Sequence, residues 1–270
     1  MVRGRAPLAS TLAIAMSSGL SYAEHVLKHL GFEVEPIEEG DEETADWIAS
    51  IAGEVVLIEE KTKFEDPTEI ARRSAAYEVG QPFDSHIPFK PDNRLSGISR
   101  KAANQLAASA GDISHQYRLV WLTATGHSHE AKFHQYIATL YGSTNIIERS
   151  RIVPLRRCYF YRNSDFFRFR HRIDGAIVAQ SDGEHVNLKL CLNPLSSNFA
   201  ALRASRTRAA FGTAVQDPLT DEAEGGAFII DCDLDRSREN ELLEYLRKKY
   251  GTDYLMQMDM GMASVSMVVK

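Results

Sequence analysis

Residues 45–63 read ADWIASIAGEVVLIEEKTK, and the predicted architecture is built around this stretch. Gly53 separates two runs rich in apolar and β-branched residues, which is the pattern of a β-hairpin. Side chains alternate along a strand, so Glu59 and Lys61 share one face of the second strand while the glutamate between them points away. Because the turn brings Asp46 back beside Glu59, the stretch predicts two carboxylates and an ammonium group at one edge of a sheet.

The segments around this hairpin predict further helices and strands. Upstream, Ser21 and Glu24 have the spacing of a helix capping box, Gly31 ends that helix, and a short strand follows. Downstream, the hydrophobic pattern predicts two helices over 66–79 and 99–110, a buried strand at 119–122, a third helix over 129–141 and a strand at 145–148. The proline-rich residues 81–97 predict a loop long enough to carry a function.

The pattern changes after Pro154. Short strands are predicted at 159–161, 166–169, 176–179 and 186–190, followed by a helix over 198–210 and a polar linker over 217–226. The sequence therefore predicts an α/β domain over 1–150, with a mixed sheet flanked by helices. A smaller α+β domain over 151–270 would follow, with nucleic-acid or partner binding as its expected role.

The predicted cluster has the chemistry of a divalent-cation site. Hard cations such as Mg²⁺ prefer oxygen ligands and keep several waters, so carboxylates at positions 46 and 59 suit Mg²⁺ or Mn²⁺. A bound cation can activate water and stabilise charge on a phosphoryl group. Lys61, next to the cation, could orient the attacking water or offset charge on the scissile phosphate.

These motifs resemble the PD-(D/E)xK, or restriction-endonuclease-like, nuclease superfamily. The resemblance covers roughly residues 18–142 and depends on Glu24 in the first helix, Gly31-Phe32 opening a strand, Ala45-Asp46, and Glu59-Glu60-Lys61 after the hairpin turn. It implies a restriction-endonuclease-like mixed sheet flanked by helices. Carried residue by residue, the metal ligands are Asp46, Glu59 and Glu24, and Lys61 assists the attacking water.

Two further positions compare with the family pattern. Ala45 stands where the family has proline, but that proline is not a ligand, so the departure leaves the activity intact. Gln105 is similar to a helical glutamine found in some branches, where it would contact nucleic acid. The resemblance implies a Mg²⁺-dependent endonuclease acting on DNA in restriction, phage defence or repair, as a homodimer or within a larger complex.

Other interpretations of the same residues stay open. An acid–x–Lys pattern on a strand often arises by chance, with Glu59 and Lys61 as a solvated pair, and Glu24 could serve only the capping box. A nuclease-like fold can also hold nucleic acid or a partner without cutting it. An RNA-processing nuclease would carry the same motif.

The distribution of charge is uneven along the chain. Net charge is −6, with eight carboxylates and no basic residue from Glu33 to Asp46. The segment from Arg149 to Arg172 instead has eight arginines and one acid, interleaved with aromatic residues. Such a segment can bind phosphates and stack on bases. If 166–169 continued as a strand, Arg168, Arg170 and Arg172 would form one basic face, either toward nucleic acid or simply in solvent.

Composition indicates a globular, cytoplasmic protein. Hydrophobic residues make up 44% of the chain and charged residues 25%. The three cysteines include no CxxC pair, which argues against a disulfide framework or zinc ribbon and favours a reducing compartment. The apolar stretch 8–16 is interrupted by polar residues, so we do not expect a signal peptide, and no other run reaches membrane-spanning length.

Overall fold

The computed structural model describes residues 12–15, 21–38, 44–88, 90–149, 155–258 and 261–267. The expectation about the apolar stretch 8–16 falls mostly outside these residues. In chain order the described elements are β1 (Leu12–Ala15), α1 (Tyr22–His29), β2 (Glu33–Pro36), β3 (Trp47–Ile51), β4 (Glu54–Lys63), α2 (Pro67–Glu78), β5 (Phe83–Pro88), α3 (Asn93–Ser109), β6 (Tyr117–Ala124), α4 (His129–Tyr141), β7 (Thr144–Glu148), β8 (Leu155–Tyr159), α5 (Asp165–Arg168), β9 (Gly175–Ser181), β10 (His185–Leu192), α6 (Phe199–Arg203), α7 (Arg206–Ala210), β11 (Val215–Gln216), α8 (Pro218–Ala223), β12 (Ala227–Ile229), α9 (Glu239–Tyr250), β13 (Leu255–Met258) and β14 (Gly261–Ser266).

The hairpin predicted around Gly53 is confirmed. Strands β3 and β4 pair antiparallel, with Trp47 opposite Ile58 and Ile51 opposite Glu54. The two turn residues have positive φ, 50° at Ala52 and 83° at Gly53. A two-residue turn with positive φ at both positions matches the right-handed twist of paired strands, and glycine adopts it without strain.

The hairpin lies within one large mixed sheet flanked by helices. In the described part of the chain, seven strands follow the order β1-β10-β9-β6-β4-β3-β2, and β11 pairs with β10. Strands β4 and β6 run parallel, because Gln116 N bonds Val55 O at 2.9 Å and Thr125 N bonds Lys63 O at 3.2 Å. The α/β fold class is therefore confirmed in this coarse form.

Strands from the second half of the chain complete this sheet. The β9–β10 hairpin lies between β6 and β1, so residues 175–192 share a sheet with β2, β3 and β4. Strand β6 is buried on both faces and needs a neighbour at each edge, and β9, itself buried along most of its length, supplies one. Leu119, Trp121 and Ile177 accordingly belong to one hydrophobic core.

Chain contacts define two compact units that differ from the ranges 1–150 and 151–270 expected from the sequence. Each unit combines three separate stretches. The first unit comprises Met1–Lys61, Lys101–Thr123 and Arg170–Asp217, and the second comprises Thr62–Arg100, Ala124–Phe169 and Pro218–Lys270.

The second unit contains two smaller sheets in its described residues. Their strand orders are β12-β8-β7-β13 and β14-β5. An aromatic cluster packs around Tyr141, whose ring centroid lies 4.9 Å from those of Tyr159 and Phe166 and 6.2 Å from that of Phe160. Among the described residues, every helix is too short or too polar to span a membrane.

Three local predictions in this part of the chain are wrong. Residues 166–169 are not a strand: Ser164 Oγ accepts a hydrogen bond from Phe167 N at 3.2 Å and starts helix α5. The expected loop at 81–97 contains strand β5 and the start of α3, and the linker at 217–226 contains helix α8. Pairing with β14 fixes β5, and the Ser164 cap fixes α5; neither interaction is visible as local periodicity.

The helix expected over 198–210 is divided into two short helices. Ser205 lies between α6 and α7, and its Oγ accepts a hydrogen bond from Arg208 N at 2.9 Å. Glu54 in β4 supplies further acceptors, because its carboxylate binds the backbone amides of Arg206 and Thr207 at 2.9 and 2.8 Å. Burial raises the pKa of Glu54, but these amides outweigh it and the pKa is lowered overall.

A buried carboxylate joins β6 to the start of β9. Asp174 is fully buried and accepts hydrogen bonds from Arg118 N at 2.9 Å and Arg118 Nε at 3.2 Å. Ser196 Oγ donates to the same carboxylate at 2.5 Å, and Asn198 Nδ2 does so at 3.3 Å. This network holds the β9–β10 hairpin and the loop after it against β6.

We predict that Asp174→Ala lowers the free energy of unfolding by about 3–5 kcal/mol, because it leaves the partly buried Arg118 without its counter-charge. Urea denaturation followed by circular dichroism measures the loss. Asp253→Ala, at an exposed position, is the control and should change stability by less than about 0.5 kcal/mol. Equal stability of the two variants would contradict a structural role for the network.

Candidate functional site

Asp46 and Glu59 meet where β3 begins beside β4. Asp46 N donates to Ile58 O at 3.1 Å, and Asp46 Oδ2 accepts a hydrogen bond from Glu60 N at 2.6 Å. The hairpin register therefore brings the Asp46 carboxylate next to Glu59, within range of both a hydrogen bond and a charge interaction with it.

Glu59 is a buried acid with few compensating contacts. It is 0% exposed, and neither carboxylate oxygen has a well-formed hydrogen bond to a described residue. Lys61 Nζ forms a close ion pair with Oε1 even though that contact lacks hydrogen-bond geometry. Burial raises the pKa of Glu59 to about 7; the Lys61 amine opposes this shift and the Asp46 charge adds to it.

Lys61 connects this buried carboxylate to the surface. Its side chain is 25% exposed, whereas that of Glu59 is fully buried. The alternation of β4 places the two side chains on the same face, as the sequence predicts. The ammonium group can therefore contact Glu59 and still be reached by a ligand from solvent.

Glu60 points to the other face of β4 and binds the start of α1. Its Oε1 accepts from Ala23 N at 3.1 Å, and its Oε2 accepts from Trp47 Nε1 at 3.1 Å. Burial raises the pKa of Glu60, although the Ala23 amide partly offsets this effect. The residue thus links helix and hairpin while its own backbone N–H holds Asp46, a role that sequence reasoning missed.

Glu24 has its own partners on α1. Its backbone N donates to Ser21 Oγ at 3.0 Å, and its side chain pairs with Lys28 at 2.7 Å. The part of the chain that the structure describes has no group of three or more His, Cys, Asp or Glu side chains able to hold a metal. Asp46 and Glu59 are therefore brought together without Glu24, whose role as a ligand stays a prediction.

Gln105 is a buried residue of helix α3, with only 8% of its surface exposed. Its Nε2 donates to Thr44 O at 3.1 Å, two residues before Asp46. Ser109, one helical turn later, accepts from Ala45 N through Oγ at 2.8 Å. The contact of Gln105 with nucleic acid stays a prediction, and Ser109 was missed, although its i, i+4 spacing from Gln105 is visible in the sequence.

The three predicted arginines lie on a short helix and in the turn region after it, not on a strand. Arg168 belongs to α5, is 52% exposed at its side chain, and pairs with Asp165 at 3.8 Å. Arg172 Nη1 donates to Asn104 Oδ1 at 2.7 Å, and Arg170 is partly buried. The strand alternation that predicted one basic face is therefore wrong, and nucleic-acid contact by these side chains is an untested prediction.

Comparisons of the chain with protein-family models, with curated proteins and with solved structures gave no match. Any statement of function therefore rests on the geometry and chemistry of the side chains themselves.

We predict that Glu59→Gln stabilises the metal-free protein at high pH. The folded-state pKa of about 7 lies above the ordinary value of 4.5, so the wild type loses stability as pH rises between these values. An uncharged amide avoids this loss and can donate to Asp46. Urea denaturation in EDTA should show a gain of about 2 kcal/mol at pH 8 that shrinks toward pH 5.

Lys61→Gln provides a matched control, because it removes the counter-charge while Glu59 still ionises. Its stability should fall relative to wild type as pH rises from 5 to 8. A Glu59→Gln variant no more stable than wild type at pH 8 would mean that the Glu59 carboxylate is not destabilised by burial.

Proposed function

We propose that this chain is a divalent-metal-dependent nuclease that hydrolyses phosphodiester bonds in DNA. The observation that carries the proposal is the buried Glu59 carboxylate, placed beside Asp46 and in contact with Lys61. Two acids and one amine, where β3 begins beside β4, form the set that the resemblance to PD-(D/E)xK nucleases implies. The same resemblance supports an endonuclease of restriction, phage defence or repair.

The residues at this site fit Mg²⁺ or Mn²⁺. Both oxygens of Glu59 are buried, and neither has a well-formed hydrogen bond to a described residue. The ion pair with Lys61 compensates this carboxylate only in part, so a cation would supply further compensation. Mg²⁺ is commonly bound through one or two carboxylates, with water and substrate phosphate completing its coordination, so Asp46 and Glu59 suffice as protein ligands. When bound, such a cation supplies Lewis acidity toward the phosphate group.

We assign to Lys61 the stabilisation of negative charge on the phosphoryl group. Its side chain is partly exposed and its ammonium group contacts Glu59, where a phosphate oxygen of the substrate would arrive. Negative charge grows on the phosphoryl group as hydrolysis proceeds, and a fixed positive charge stabilises that change more than it stabilises the ground state. Lys61 would therefore act mainly on turnover and only weakly on affinity.

We predict that the purified protein cleaves DNA in Mg²⁺ or Mn²⁺, that EDTA stops cleavage, and that Asp46→Asn lowers the rate by about 100-fold or more. The asparagine keeps an oxygen for the Glu60 N–H but removes the charge that binds the cation. Asp182→Asn, in the exposed β9–β10 turn, is the control. Conversion of supercoiled plasmid to nicked and linear forms measures the rate.

Two results would refute this assignment. If Asp46→Asn cleaved at the wild-type rate, the site around Asp46 would be excluded as the catalytic centre. If the wild type cleaved neither DNA nor RNA, a binding module would be favoured. Preference for RNA over DNA in the same assay would identify an RNA-processing nuclease that uses the same residues.

We predict that Lys61→Ala lowers kcat by about 100-fold while changing DNA affinity by less than about threefold. Single-turnover cleavage gives the rate, and fluorescence anisotropy in Ca²⁺ gives the affinity. Lys248→Ala, exposed on α9, is the control for removal of a positive charge. Equal losses of rate and affinity would indicate a simple phosphate contact, and an unaffected kcat would direct attention to Lys63.

A further inference from the structure

Helix α3 holds the chain immediately before Asp46. Gln105 Nε2 donates to Thr44 O at 3.1 Å, and Ser109 Oγ accepts from Ala45 N at 2.8 Å. Residues four apart lie on the same side of a helix, so the two side chains bind consecutive residues of the neighbouring chain. We call Gln105 and Ser109 the α3 clamp.

Strand β4 holds Asp46 itself. Asp46 N donates to Ile58 O at 3.1 Å, and the carboxylate accepts from Glu60 N at 2.6 Å. Strand β3 begins only at Trp47, so Thr44 and Ala45 precede its ladder. The α3 clamp therefore binds the backbone of both residues, and Asp46 lies between this anchored segment and the β3–β4 ladder.

Burial of Gln105 carries an energetic cost. Its Oε1 is buried and has no hydrogen-bond partner among the described residues. A buried acceptor left without a partner costs about 1–3 kcal/mol, and an apolar side chain of similar size would avoid that cost. The amide donor to Thr44 O is the compensating feature, which indicates that the placement of this backbone matters beyond packing.

We infer that Gln105 and Ser109 are positioning residues that keep the Asp46 carboxylate beside Glu59 so that the pair can bind a divalent cation. This inference rests on the proposed metal site. Removal of a group that orients a metal ligand typically weakens metal affinity by about 10- to 100-fold. Because the α3 clamp acts through the backbone and not on the carboxylate itself, we expect the lower end of this range.

The test measures Mn²⁺ binding without nucleic acid, by titration calorimetry on wild type and Ser109→Ala. We predict that Ser109→Ala weakens Mn²⁺ binding about 10-fold and that Ser109→Thr, which keeps the hydroxyl, restores it. Ser99→Ala is the matched control, because Ser99 is an equally buried serine ten residues earlier on α3. Its loss should lower thermal stability without changing Mn²⁺ affinity.

The outcomes separate the inference from the proposed function. If wild type binds Mn²⁺ and Ser109→Ala binds it equally well, the positioning role is overturned while the metal site stands. If wild type binds no Mn²⁺, the metal site and the positioning role both fail. Should Ser109→Ala not fold, Gln105→Met removes the other half of the α3 clamp, and unchanged Mn²⁺ affinity in that variant overturns the inference equally.

Discussion

The fully buried Glu59 carboxylate is the constraint on which the rest of the site depends. Removing an ionised acid from water costs several kcal/mol unless charge or hydrogen bonds compensate for it. Here the nearby acid, Asp46, adds to that cost, and the partial ion pair with Lys61 reduces it only in part. Burial therefore favours a proton on this carboxyl group near neutral pH, and in the proposed metal site a bound cation would take the place of that proton.

The large sheet keeps this unfavourable arrangement in place. Strand β4 lies between β3 and β6, and the β9–β10 hairpin extends the sheet beyond β6. The apolar core built on Trp121, Ile177 and Leu188 provides the stabilisation against which a buried acid can be tolerated. Hydrogen bonds from β4 and α3 fix the backbone around Asp46, and a fixed backbone is what a preorganised site requires.

How far the site could be predicted depends on sequence separation. Asp46, Glu59 and Lys61 were predictable because strand alternation and a two-residue turn are local rules acting within sixteen residues. Gln105 and Ser109 are about 60 residues away from the backbone they hold, and no local pattern connects them. At Arg168 a local rule gave the wrong prediction. The alternation of arginines with aromatic residues is typical of a strand, but the Ser164 cap makes these residues helical.

By itself, the sequence determined the β3–β4 hairpin, the mixed α/β class and the chemistry of the residues that meet at the hairpin. These properties follow from turn chemistry, periodicity and side-chain type, which are encoded within short segments. The tertiary structure decided that residues 175–192 complete the first sheet, that Glu24 pairs with Lys28, and that α3 anchors the chain before Asp46. These contacts join segments that are far apart in the sequence. Their burial and hydrogen bonds stabilise the protein only after the segments have packed together.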